Sequence, residues 1–140
     1  MTRPTMTTHA TGTFTFADWQ EKPVGEAAGG TKLAHATVIN NFSGAITASG
    51  TACQYAIVYL ADETGAFSGH ELVDGRLDGR RGSFVLAEHG TFGEDGTVRC
   101  AFEVVPGSGT GELAGLTGAG SFTAPKGITA VSYAFDYELG

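Results

Sequence analysis

Two adjacent pairs of titratable residues, His70-Glu71 and Glu88-His89, lie inside segments of alternating polarity. Neighbouring residues of a strand point to opposite faces. In a closed sheet, one member of each pair therefore faces the interior and the other faces water. An enclosed carboxylate resists ionisation, so its pKa rises and it can give or take a proton near neutral pH. The alternative is that both pairs sit at the rims, solvated and without chemistry. Tyr55 and Tyr59 share strand parity with Cys53 and Ile57. If that face is interior, their hydroxyls can donate to a bound molecule; they serve equally well as core residues. Arg76, Arg80 and Arg81 lie close to Asp74 and Asp78. Pairing on a hairpin surface explains them; the functional alternative is one arginine at a barrel mouth, holding a carboxylate or enolate.

Other chemistries lack their residues. No pair among His9, His35, His70 and His89 has helical i, i+4 spacing, and Cys53 and Cys100 fit no metal or redox spacing. We expect no metal and no cofactor, and read both cysteines as buried small hydrophobes in a reducing compartment. Residues 109–114 read Gly-x-Gly-x-x-Ala, but a dinucleotide site needs a strand before that motif and a helix after it. Another glycine-rich strand follows instead, so the segment reads as a loop entering a hairpin, with Glu112 as a polar anchor. The sequon Asn41-Phe-Ser43 is usable only in a secreted chain, and residues 1–9 contain no apolar stretch resembling a signal peptide.

The elements that would position these residues are strands. No window keeps an i, i+3, i+4, i+7 apolar pattern free of glycine, whereas period-two alternation recurs along the chain. The clearest strand is Val131–Leu139, with Val131, Tyr133, Phe135, Tyr137 and Leu139 on one face. Val98–Val105 places Cys100, Phe102 and Val104 opposite Arg99, Ala101 and Glu103. Ser83–Glu88, Ala52–Leu60, Thr11–Phe16, Leu33–Phe42, Ala66–Leu77 and Gly118–Thr123 complete a set of about eight, with 44–50 merging into 52–60. The turns Asp62-Glu-Thr-Gly65, Leu77-Asp-Gly-Arg80 and Glu94-Asp-Gly96 place Gly where a hairpin needs positive φ. Gly, then Ser or Thr, then Phe occurs at 12–14, 82–84, 90–92 and 120–122. We read these steps as strand starts where Gly relieves curvature and Phe points into the core. Abundant glycine within strands favours closure of the sheet, because barrel corners need it. Eight strands enclose space for side chains or for one small ligand.

Composition agrees. The chain has 140 residues, of which 22 are Gly, and the charged fraction is 16%, below the usual ~25%. We expect a frayed tail at residues 1–8 and one β-barrel domain at 9–140. The net charge of −7 and the lack of any basic cluster beyond Arg80-Arg81 argue against nucleic acid as a partner. No apolar run is long enough for a transmembrane helix. The expected location is the cytoplasm, without membrane association. Apolar outer faces, as at residues 52–60, make a homodimer plausible.

Several motifs together resemble a known family. They are Gly12-Thr-Phe14 with Trp19 and Pro23 following, Gly82-Ser-Phe-Val-Leu86, Gly90-Thr-Phe92, Val105-Pro-Gly-Ser-Gly-Thr-Gly-Glu-Leu-Ala-Gly-Leu116 and the ending Tyr133-x-Phe-Asp-Tyr137. The chain after residue 8 resembles the domain-of-unknown-function 3224 family, whose fold is similar to allene oxide cyclase, a small lipocalin-like β-barrel. The resemblance implies an all-β, single eight-stranded antiparallel barrel. Relatives usually carry Gln-His before the Gly-Thr-Phe step, where this chain has Ala87, Glu88 and an additional His89. A Trp is common in the family where Phe102 stands, and an acidic stretch is usual where this chain has 45–50. Glu71 matches a glutamate of the family.

Barrels of this shape can act as cyclases or isomerases, so the expected function is cofactor-independent cyclisation or isomerisation of a small, mostly apolar, polyketide-like biosynthetic intermediate. The expected catalytic residues are Glu71, Glu88 and His89. Tyr55, Tyr59, Arg81, Phe102 and Tyr133 are the expected substrate contacts. The competing expectation is a non-catalytic small-molecule-binding barrel. A third is a barrel filled by its nine Phe, with no cavity.

Overall fold

Alternating residues punctuated by glycine give the chain no helix-forming stretch, and the computed structural model, which describes residues 6–139, is built from strands. They are β1 (Thr8–Glu26), β2 (Lys32–Gly44), β3 (Ile46–Tyr59), β4 (Gly65–Leu77), β5 (Arg80–Phe92), β6 (Val98–Val104), β7 (Leu116–Ala124) and β8 (Val131–Leu139). Each strand pairs antiparallel with the next, and β1 pairs with β8 to close the barrel. No helix among the described residues is long and apolar enough to cross a membrane. Residues 1–5 of the expected tail lie outside the described residues, and β1 already begins at Thr8.

The strand β8 has the bounds that its alternation predicts. The strand β1 is much longer than expected, because beyond Phe14 it pairs with β2 alone and is exposed on both faces, leaving no alternation to read. A bulge between Ala17 and Gln20 breaks its register, with Asp18 in the left-handed region at φ 58°. The extra residue re-aims the strand. Phe16 and Trp19, three apart, consequently line the same cavity.

Two of the three hairpin turns follow expectation. Asp78 and Gly79 both have positive φ, the geometry of a two-residue hairpin, and Gly96 has φ 79°. The 62–65 turn does not. Glu63 takes the positive φ there, at 70°, while Asp62 accepts from the Thr64 N–H and hydroxyl. Gly65 instead starts β4 facing inward, where a Cβ would stand 2.2 Å from the Phe92 ring.

The Gly-Ser/Thr-Phe steps also have a different role from the expected strand starts. Phe14, Phe84, Phe92 and Phe122 all lie on the inward parity of their strands, but the glycines make room for something else. A Cβ on Gly12 would meet the Tyr133 hydroxyl at 2.3 Å, and one on Gly120 would meet the Phe102 ring at 2.4 Å and the Ala134 carbonyl oxygen at 2.2 Å. Aromatic rings thus cross the interior over bare backbone, the aromatic-over-glycine pairing of curved sheets. Gly120→Ala is expected to cost about 2–3 kcal/mol in urea unfolding, the range for overpacking a filled core. A loss below ~0.5 kcal/mol would mean that the ring moves freely.

The interior divides in two. One end is a dry core around Ile46, Val73, Leu77, Phe84, Leu86 and Phe135, to which the 106–115 loop adds the fully buried Leu113. That loop carries one 3-10 turn, Gly111–Leu113, and no helix, so the glycine motif has a structural role. Its anchors are Thr110, bonded to Ser83, and Glu112, which accepts from the Arg81 N–H. The other end is aromatic and hollow.

Candidate functional site

Between the dry core and the hollow end runs a belt of polar side chains on the inner faces of β2 to β6. Cys53 on β3 lies opposite Glu71 on β4, and Glu88 on β5 lies opposite Phe102 on β6. Both glutamates are buried, at 2% and 4% exposure. Asn40 Nδ2 donates to Glu71 Oε2 at 2.7 Å, and the Tyr55 hydroxyl donates to Glu88 Oε1 at 2.8 Å. The Cys100 thiol donates to Glu88 Oε1 at 3.8 Å.

Burial pushes the Glu71 carboxyl well above the usual carboxylate range, and the adjacent Glu88 raises it further, while Asn40 opposes the shift. Two carboxyl groups in contact cannot both ionise readily, and burial with that contact keeps the proton on Glu71. Burial likewise raises the Cys53 and Cys100 thiols, with both glutamates adding to the shift, and both remain protonated. Tyr55 is pushed far above the ordinary phenol range by burial and by Glu88. Cys53 Sγ and oxygens of both glutamates lie within 4.8 Å of one another. That donor set could take a divalent cation once its protons were lost. Thr51, also buried in the belt, has a hydroxyl without a partner.

Above the belt the barrel opens to solvent through a cavity of about 440 Å³. Asn40 and Tyr55 reach it from the belt; the glutamates sit behind them. Its walls include Trp19, Ile57, Tyr59, Phe67 and Phe92, and the 125–128 loop lies along its edge. Trp19 stacks on Tyr55 at 6.3 Å, and Tyr55 meets Phe67 edge-on at 5.2 Å. The Tyr59 hydroxyl donates to Glu21 at 2.7 Å, and burial with that bond pushes its pKa up to about 12.

The eight residues expected from the sequence separate by parity and height. Glu71, Glu88 and Tyr55 meet in the belt, and Tyr59 stands in the cavity wall. The structure does not bring the other four to the cavity. His89 is on the outer face with His35 and His70, because it neighbours an inward Glu88. Arg81 is also outside, 3.2 Å from Asp74, as the surface-pair reading has it. Phe102 and Tyr133 face inward but below the cavity. The Phe102 ring packs on Phe135 at 5.8 Å, and the Tyr133 hydroxyl accepts from the Ile46 N–H at 2.9 Å.

Sequence reasoning did not place Asn40 or Trp19 at a site, and it read the two cysteines as buried small hydrophobes; both are buried, but in the polar belt. Asn40 left a readable signal: it is the polar residue in the inward series Ala34, Ala36, Val38, Asn40, Phe42. Trp19 left none, since the bulge before it sets its direction.

The sequence profile described as "Protein of unknown function (DUF3224)" matches residues 10–137. The chain belongs to this family. A crystal structure of another DUF3224 protein of unknown function, from Shewanella oneidensis MR-1, has the same fold. It is 29% identical, with a TM-score of 0.78 over 96% of this chain and 99% of that one. No curated protein matches the chain. The family resemblance carried by the Gly-Thr-Phe steps and the 105–116 segment is thus met, and the chain is a DUF3224 β-barrel.

Proposed function

We propose that the barrel encloses a small, mostly apolar biosynthetic intermediate, polyketide-like in size and flexibility, and promotes its cyclisation or isomerisation without a cofactor. One observation carries this reading: an aromatic-walled cavity ends on Asn40 and Tyr55, each bonded to a buried carboxylate. The walls hold one conformer of a flexible chain. Asn40 and Tyr55 supply fixed polar contacts at the floor, and Glu71, which burial keeps protonated, stands behind Asn40. Tyr55 and Asn40 touch the substrate; Glu71 and Glu88 act through them. The two free thiols fit a reducing compartment, and we place the protein in the cytoplasm.

That the carboxylates stand behind the cavity lining, not in it, favours a second reading: a non-catalytic binding barrel for the same ligand class. Native mass spectrometry of protein from its own host, before and after solvent extraction, tests both. A retained apolar compound is expected. Turnover of that compound, slowed at least tenfold by Tyr55→Phe, establishes catalysis; binding without turnover establishes the second reading. A clean apo mass, with no compound captured from host extract, overturns both.

A further inference from the structure

Groups of negative potential dominate the walls and floor of the cavity, and Lys126 lies exposed at its edge. Its walls present aromatic rings, among them Trp19, Tyr55, Tyr59, Phe67 and Phe92, whose faces carry negative potential. Behind the floor stand two carboxyl groups, and neither has an ion-pair partner among the described residues; the ion pairs there are His9–Asp136 and Arg81–Asp74, both exposed. The donors that converge on the pair, from Asn40, Tyr55 and Cys100, are all neutral. They fix the carboxyl oxygens, which turn their lone pairs toward the floor, and bring no positive charge to them. A phenol that donates to a carboxylate also has a more electron-rich ring, so Glu88 strengthens the Tyr55 face. The Tyr55 hydroxyl proton and one of the two Asn40 amide protons are committed to the glutamates, and the Tyr55 hydroxyl oxygen and the Asn40 carbonyl keep acceptor capacity toward a ligand.

Groups that would hold an anion are sparse in this lining. Among the described residues no Arg and no His lines it, and its cationic residue, Lys126, is exposed on the loop at its edge. A cation already sits on one wall ring, since Lys32 Nζ stands 4.7 Å from the Tyr59 ring centroid. At the buried floor of the cavity such contributions are screened less than at its open rim.

We infer that the cavity is a site for positive charge on an organic molecule: its ligand is a small organic cation, or a reacting species that becomes cationic at carbon or nitrogen. This rests on the proposed ligand-enclosing cavity and names the charge that it selects. Fatty acids and other anions are expected to bind more weakly than the cation.

Phenyltrimethylammonium and tert-butylbenzene test it, because they are isosteric and differ in charge at one atom. The readout is the fluorescence of Trp19, the single tryptophan, which stands in the cavity wall. Water favours the cation in this comparison, so preference for the cation is a demanding result. The ammonium ion is expected to bind at least tenfold tighter than the hydrocarbon. An advantage below tenfold, with the hydrocarbon still bound, overturns the charge inference and leaves the apolar cavity standing. Binding of neither overturns both. In Glu71→Gln/Glu88→Gln the advantage should shrink at least threefold; an unchanged ratio would overturn the role of the carboxylates. If that double variant does not fold, the ratio in the native protein still decides.

Discussion

Glu71→Gln is expected to stabilise the protein at pH 8 by about 2 kcal/mol, the order that proton linkage gives for one carboxyl whose pKa differs between the folded and unfolded chain. A glutamine there copies the protonated acid. Its carbonyl accepts from Asn40 Nδ2 and its amide donates toward Glu88, so the belt keeps its bonds. The native residue behaves differently with pH. In the unfolded chain Glu71 ionises near its ordinary value, about 4.3. In the barrel, burial and Glu88 hold the proton to a much higher pH. Between those two values the folded state binds more protons, so stability falls as pH rises. The stabilisation is fully present below the unfolded value and is lost as pH climbs through the folded one. Thermal unfolding between pH 4 and pH 8 checks this: the curves of the two proteins should meet near pH 4 and separate by roughly 5–10 °C at pH 8. A constant offset across the range would show that Glu71 is not protonated in the barrel.

Phe135→Ala is expected to have the larger effect, in the opposite direction. Phe135 is fully buried and lies against Phe84, Phe102 and Tyr137, with ring centroids at 6.4, 5.8 and 5.5 Å. Its neighbours belong to different strands of a closed barrel and cannot move in to fill the space. Truncation should therefore cost about 3–5 kcal/mol, a large part of the 5–15 kcal/mol typical of a whole domain. Urea unfolding measures it. The folded fraction should keep its aromatic cavity, because Phe135 is not part of that lining. A cost under ~1.5 kcal/mol would mean that the dry end of the barrel collapses around the gap.

Much of the barrel is legible in the sequence, because alternation and glycine are local signals of inward and outward faces. Val131–Leu139 alternates without interruption and folds as read. The inward parity of Glu71 and Glu88 is not local. It depends on which face of the closed sheet is concave, and the strand holding Tyr55 is largely apolar on both faces. His89 and Arg81 show the cost of that ambiguity, since a shift of one residue along a strand moves a side chain from cavity to solvent. Phe102 and Tyr133 show a second limit. Parity places them inside, but height along the barrel separates dry core from cavity, and height follows from strand register across the whole sheet. The long exposed arm of β1 and its Asp18 bulge carry no hydrophobic pattern, so the direction of Trp19 emerges only in three dimensions.

Closure through β1 and β8 also bears on how the protein comes into being. Thr8 lies opposite Tyr137, and Phe14 packs against Phe122 at 5.0 Å. The seam thus joins residues separated by nearly the whole chain, and such distant pairing slows folding because chain entropy is lost before contacts compensate. During synthesis, β1 has no β8 to pair with until the final strand leaves the ribosome. Until then the nascent sheet has open edges that can pair with another chain. Dilution, or a chaperone covering those edges, should therefore govern the yield of folded barrel more than the stability of the finished molecule does.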